Sequence, residues 1–137
     1  MTVSTIFDVA SQAMAAQMVR LNAVTSNIAQ VGAVSGTEEG AYRAIRPVFG
    51  AVYSENFARD GLSSVQAQGV VALDREPQRM FQPDHPNADA EGFVWQSAVD
   101  PDEELVEMME ASRQYQNTLE TVSTLRTLMA RTISMGQ

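Results

Sequence analysis

His85 is the only histidine of the chain, and it sits between prolines in Pro83-Asp84-His85-Pro86-Asn87, with Asp89 close behind. An imidazole beside carboxylates is the raw material of a metal site or of an acid/base pair. A catalytic metal usually takes three protein ligands, often several of them histidines, and a lone histidine among chain breakers reads instead as a turn residue. Cysteine is absent, which removes disulfides, thiolate metal ligands and thiol nucleophiles together. Gly32, Gly36 and Gly40 are spaced by four but lack the lysine and the strand-to-helix setting of a phosphate loop. Glu103, Glu104, Glu107 and Glu110 do not follow the spacing of an EF-hand loop. Complementation of a helix dipole accounts for the first of them, and a solvated helix face for the rest. The residues predict no catalytic site, no metal site and no cofactor.

The elements that would carry these residues are dominated by the two ends. In the N-terminal segment Phe7, Ala10, Met14, Gln17, Leu21, Val24, Ile28 and Val31 step by threes and fours, the spacing of a seam on one helical face. Leu105, Met108, Ser112, Tyr115, Leu119 and Val122 do the same near the C-terminus, and Leu125, Met129 and Ile133 continue that face after a one-residue slip. Thr5 and Asp8 have the form of a capping box, and Gly32 that of a stop. From Thr5 to Val31 the first helix would be roughly 40 Å long. The second begins at an Asp100 N-cap with Pro101 in the first helical position, ends at Gly136, and would be roughly 50 Å long.

Between the helices, Ala33 to Gly40 reads as a linker or extended loop. Tyr42–Tyr53 and Ser63–Asp74 read as half-buried strands, the second with Val65, Ala67, Gly69, Val71 and Leu73 on alternate positions. Asp60-Gly61 marks a turn between them, and Gly92–Trp95 is a third short strand. The fold class expected is therefore α+β: long N- and C-terminal helices paired as a coiled coil, with a small antiparallel β-rich element inserted between them. The division is 1–32 for the first helix, 33–99 for the linker and β-rich element, and 100–137 for the second helix.

Charge then separates function classes. The net charge of −8 and the absence of a basic patch exclude nucleic acid as a partner. From Met1 to Thr37 the only ionisable side chains are Asp8 and Arg20, whereas a helix with one buried face normally carries charge on the other. A helix so poor in charge needs neighbours on more than one side. Asn22 and Ser26 lie four apart beside the Leu21–Val24–Ile28 seam, with Asn27 close to it, and hydrogen bonds from these groups would fix register between helices. All nine basic residues are arginine, a side chain suited to holding carboxylates bidentately at interfaces. The N-terminus lacks the pattern of a cleaved signal peptide, and no run of about 18 apolar residues is present to insert in a membrane.

Three regions resemble flagellar axial proteins, the rod and hook family. Leu21-Asn22-Ala23-Val24-Thr25-Ser26-Asn27-Ile28-Ala29 is similar to the N-terminal signature of that family. Tyr42-Arg43-Ala44, Pro47-Val48-Phe49 and Pro83-Asp84-His85-Pro86-Asn87-Ala88-Asp89-Ala90-Glu91-Gly92-Phe93-Val94 resemble the middle of its rod members, and Glu107 to Asn117, with Arg113 and Tyr115, the C-terminal signature. The resemblance implies a structural subunit of the basal-body rod, the drive shaft that carries motor torque from the membrane ring to the hook. It further implies export through the flagellar type III apparatus, assembly in the periplasm, and partners among other rod proteins, further copies of the chain in a helical tube, and the membrane-ring and export-gate base. An assembly interface is expected at Phe7, Met14, Leu21, Asn22, Val24, Ser26, Asn27 and Ile28 on the first helix. On the second it is expected at Leu105, Met108, Arg113, Tyr115, Asn117, Leu119, Val122, Met129 and Ile133. The alternative from the residues alone is a secreted or cytosolic helical-hairpin adaptor that binds a partner through the same seam.

Overall fold

The structure, a computed structural model, describes residues 3–55 and 61–136. In chain order the elements are α1 (Val3–Ala29), β1 (Val34–Ser35), β2 (Ile45–Tyr53), β3 (Ser63–Ala72), β4 (Gln78–Phe81), β5 (Phe93–Gln96) and α2 (Pro101–Met135). Two long helices with small antiparallel sheets between them make an α+β fold. Local chemistry sets the helix ends. Asp100 is the N-cap of α2, its side chain accepting from the backbone N–H of Asp102 at 3.0 Å and of Glu103 at 3.4 Å, and Pro101 opens the helix. α1 closes at Ala29 and the chain turns at Gly32, whose φ of 76° is the left-handed value glycine tolerates. Thr5 and Asp8 do not cap α1, because the helix already includes Val3.

The β-rich part is two sheets rather than one. β2 and β3 form a hairpin, and a separate three-stranded sheet has the order β1-β5-β4. The segment read as a linker contains β1, which pairs with β5 through Val34–Gln96 and Ser35–Trp95. β4 carried no alternation of apolar residues and was not legible as a strand. Of the expected Asp60-Gly61 turn, Asp60 lies outside the described residues, and Gly61 has φ 62°. The even alternation expected along β3 holds only in its first half, where Val65 and Ala67 are half-buried. A bulge opposite Val48 and Phe49 breaks the register, and beyond it Val70 and Val71 are both about half exposed. The side chain of Gln68, thrown across the strand by the bulge, lies over Gly50.

α1 is the central element. On one side it packs along α2, and on another it packs against the β2–β3 hairpin. Val9, Ala13 and Ala16 border the clefts that α1 forms with hairpin residues such as Phe49, Val52, Val65 and Ala67. Part of the charge-poor surface of α1 is therefore covered from within the chain, a neighbour the helix seams did not anticipate. The remaining stripe of α1, through Ser11, Ala15, Met18, Asn22, Ser26 and Ala29, is exposed and carries no charge.

Along α2 the half- or fully buried positions include Glu104, Met108, Ala111, Tyr115, Thr118, Val122, Leu125 and Met129. Three of the nine expected seam positions face outward instead: Leu105, Leu119 and Ile133 are 52%, 49% and 65% exposed, while Ser112 is half-buried as expected. Val31, at the end of the α1 seam, is also exposed. At Leu105 and Leu119 the cause is that the packed row runs through Glu104 and Thr118, where hydrophobicity alone selects the larger apolar neighbours. At Ala111 a small side chain lets the helix backbones come close.

The fully buried apolar residues are Ala16, Ala23, Val24, Ala41, Ala44, Val94 and Ala111, mostly alanine, so the core is thin. The chain exposes 9238 Å², against roughly 7,000 Å² expected from size scaling for a compact monomer of this length.

Candidate assembly interface

Asn27 lies at the junction of α1, β2 and α2, and its side chain is fully buried. Its Nδ2 donates to the Ile45 carbonyl and to Glu104 Oε2, both at 3.0 Å. Its Oδ1 accepts from the Ile45 N–H at 2.8 Å and from the Tyr42 hydroxyl at 3.0 Å. Two donors and two acceptor positions are all an amide side chain has, and Asn27 uses every one within its own chain. It does fix register between helices, as expected, but it is not available to a neighbour.

Glu104, 1% exposed, completes this hub. Arg46 approaches it with Nη1 at 3.0 Å from Oε2 and Nη2 at 2.7 Å from Oε1. Burial works against the charge on Arg46, but the hydrogen bond to Glu104 and the fields of Glu104, Glu107 and Glu103 outweigh it, and its pKa is raised above the ordinary value. Arg75 clasps Glu103 with two contacts, Nη2 to Oε1 at 2.9 Å and Nη1 to Oε2 at 2.7 Å. That hydrogen bond is the main reason the Glu103 carboxyl is held below its usual range, against the effect of burial and with help from the charges of Arg75 and Arg46. Further along, Arg20 donates from Nε and Nη2 to Glu107 Oε2 at 2.9 and 2.7 Å, and Gln17 donates to Gln114 at 2.8 Å. The glutamates read as a solvated face are instead the clamp between the helices. Their spacing alone does not show this, because the partners Asn27, Arg46 and Arg20 lie 58 to 87 positions away in the chain.

The remaining candidates divide by exposure. Phe7, Met14, Leu21 and Ile28 on α1 are half-buried, and Val24 is fully buried. Met108, Tyr115, Val122 and Met129 on α2 are half-buried. Asn22, Ser26, Leu105, Arg113, Asn117, Leu119 and Ile133 face outward. His85 is a turn residue: its Nδ1 accepts from the Asn87 N–H at 3.1 Å. Asp89 organises the same loop, its Oδ1 accepting from the N–H groups of Phe93 at 2.8 Å and Glu91 at 2.9 Å. The bond from Phe93 leads the causes that hold its carboxyl below the usual range; burial opposes, and Arg79 and the Glu91 N–H add to the lowering. No group of His, Asp or Glu able to hold a metal occurs among the described residues.

Residues 90–135 match the family model described as flagellar basal body rod FlgEFG protein C-terminal. The flagellar basal-body rod protein FlgC of Salmonella typhimurium is 36% identical over 137 residues, covering all of both chains. The chain belongs to the FlgC family of flagellar basal-body rod proteins. The FlgC of Yersinia enterocolitica is 37% identical, again over the whole of both chains, and that of Aquifex aeolicus is 29% identical over 125 residues, 91% of this chain and 90% of its own. Family membership joins the thin core and the uncharged outer stripe of α1 to one location, the flagellar basal body.

Proposed function

We propose that the chain is a structural subunit of the proximal rod, packed with other rod proteins and with copies of itself in a helical tube that transmits motor torque. The observation that carries this reading is the pairing of a full-length FlgC match with the exposed, uncharged stripe of α1 through Ser11, Ala15, Met18, Asn22, Ser26 and Ala29. The excess exposed area of about 2,200 Å² over a compact monomer is on the scale of a specific protein–protein interface. Export through the type III apparatus, assembly in the periplasm and contact with the membrane-ring and export-gate base follow from the same family resemblance.

The steps of four and three among the buried positions of α2 support pairing of the two helices as a coiled coil. The reading divides the chain into an axial helix at 1–32, a β-rich element at 33–99 and a second axial helix at 100–137. Chemistry on a substrate has no part in it; stiffness and fit do. The outward candidates Asn22, Ser26, Leu105, Leu119 and Ile133 are then the surfaces that meet neighbouring subunits. The inward ones hold the subunit together.

Leu119→Asp separates these roles. Leu119 is exposed in the single chain, so the substitution should change monomer stability by less than about 0.5 kcal/mol. Cells whose own copy is replaced by this variant should lack rods and be non-motile. Normal motility would remove Leu119 from the interface.

A further inference from the structure

The two strands of the β2–β3 hairpin differ at their outer edges. Leu73 donates its N–H to the Ala44 carbonyl at 2.8 Å, and bonded and non-bonded pairs alternate along an antiparallel ladder. Back from Leu73, Arg46–Val71 and Val48–Gly69 are therefore the bonded pairs, while Ile45–Ala72 and Pro47–Val70 turn their backbone groups away from each other. On β2 most of those outward groups are taken or missing. The N–H and carbonyl of Ile45 are both bonded to the Asn27 side chain, and Pro47 has no N–H. On β3 the matching N–H and carbonyl groups of Val70 and Ala72 point to an open edge, where no further strand of the described residues pairs.

The side chains leave this edge equally bare. The bulge at Val48 and Phe49 divides β3: Val65, Gln66 and Ala67 border a cleft with α1, whereas Gln68 to Ala72 are exposed without interruption. Val70 and Val71 point to opposite faces of the strand, and they are 49% and 50% exposed, so neither face is packed. Proteins usually protect such an edge with a charge, a proline or a covering loop. From Leu62 to Leu73 there is no ionisable residue and no proline.

We propose that the second half of β3 is a docking edge for an extended, uncharged strand of a different protein, which bonds the backbone of Val70 and Ala72 and covers Val70 and Val71 with apolar side chains. Donors and acceptors two residues apart are matched by another extended backbone, the contact by which a strand is added to a sheet. A charged side chain on the incoming strand would lose water against Val70 and Val71 with no opposite charge to meet. A second copy fits poorly. Its β2 edge is blunted by Asn27 and Pro47, its β1 has two residues, and its β4 carries Arg79 with carboxylates on it. Pairing β3 with β3 brings the same surface together and needs a two-fold axis, whereas copies in a helical tube, on the subunit reading above, share one direction.

The test uses full-length variants in flagellated cells lacking their own copy. Val70→Pro removes an outward N–H and leaves the β2–β3 ladder bonded. It should lower the number of rods per cell ~10-fold, the effect of stranding one backbone carbonyl partner at a contact, with the urea midpoint of the purified chain unchanged. Val70→Thr, which keeps the N–H and the branched side chain, should keep the rods. Val70→Cys is then the only cysteine of the chain, and a maleimide should label it readily in the purified protein but at least ~10-fold more slowly in isolated basal bodies, where the edge is covered. Should the proline also lower the urea midpoint, the labelling ratio decides alone. Normal rods with Val70→Pro, equal loss of rods with Val70→Thr, or equal labelling in the two preparations would each overturn the docking edge. A purified chain that sediments as a dimer, and as a monomer with Val70→Pro, would give the edge to a second copy and overturn the choice of a different protein. Absence of the chain from isolated basal bodies would overturn the subunit reading instead.

Discussion

The two ends of α2 handle polar side chains in opposite ways. At its start, Glu103, Glu104 and Glu107 reach across to Arg75, Arg46, Asn27 and Arg20, so every bond ties one element to another. Beyond Gln114 the hydroxyls of Thr118, Thr121, Thr127 and Thr132 turn back to the carbonyl four residues earlier on their own helix. Hydrogen bonds of that kind satisfy the group without fixing a partner. One end of the helix is committed to its own chain, while the other makes few commitments and keeps arginine and aliphatic side chains outward. A subunit that must both hold its shape and join others separates the two tasks along one helix.

Glu104→Ala should break this contrast most strongly. It leaves Arg46 only the longer of its carboxylate contacts, with Glu103 at 3.3 Å, and strands one donor of Asn27 in a mostly dry junction, and breaking a buried pair from one side typically costs about 3–5 kcal/mol. Arg46 keeps 17% side-chain exposure, which favours about 3 kcal/mol here, read as a lower urea midpoint with early loss of hydrogen-exchange protection in the β2–β3 hairpin. Asn27→Leu should follow at about 2 kcal/mol, because the Ile45 N–H is left buried without an acceptor. Asp100→Ala removes the cap of α2 and should cost about 1 kcal/mol by the same measurement.

Acid should sharpen the comparison with the smallest effect. The Glu103 carboxyl titrates lower in the folded chain than its ordinary 4.5, so its contribution is complete above that value and is lost as pH falls through the depressed one. Glu103 is about one-third exposed, and screening keeps this contribution below about 1 kcal/mol. Between pH 5 and 3 the hub end should lose stability while the distal part of α2, with Glu120 as its only carboxylate after Glu110, keeps its helicity. Equal loss at both ends on a residue-resolved NMR titration would contradict the division.

What was legible in the sequence follows the range of the forces involved. Both helices and the Asp100 cap were readable because they rest on neighbours within four residues. Leu105 and Leu119 were placed in the intrachain seam because a hydrophobic seam can be drawn one position away from the packed row, which runs through Glu104 and Thr118. Glu104 was hidden by a double role, favourable to the helix dipole and also buried against Arg46. β1 is too short, and β4 too irregular, to announce itself. The family resemblance at 21–29 and 107–117 located the basal-body role, while the hub depends on partners 15 to 77 positions from Asn27 in the chain.

The saturated amide of Asn27 also sets a schedule. Its ligands come from positions 42, 45 and 104, so a chain made from the N-terminus has most of the junction early and must wait for the last third to finish it. No fragment ending before Glu104 can close the structure. Until then α1 has neither its clamp nor its companion helix.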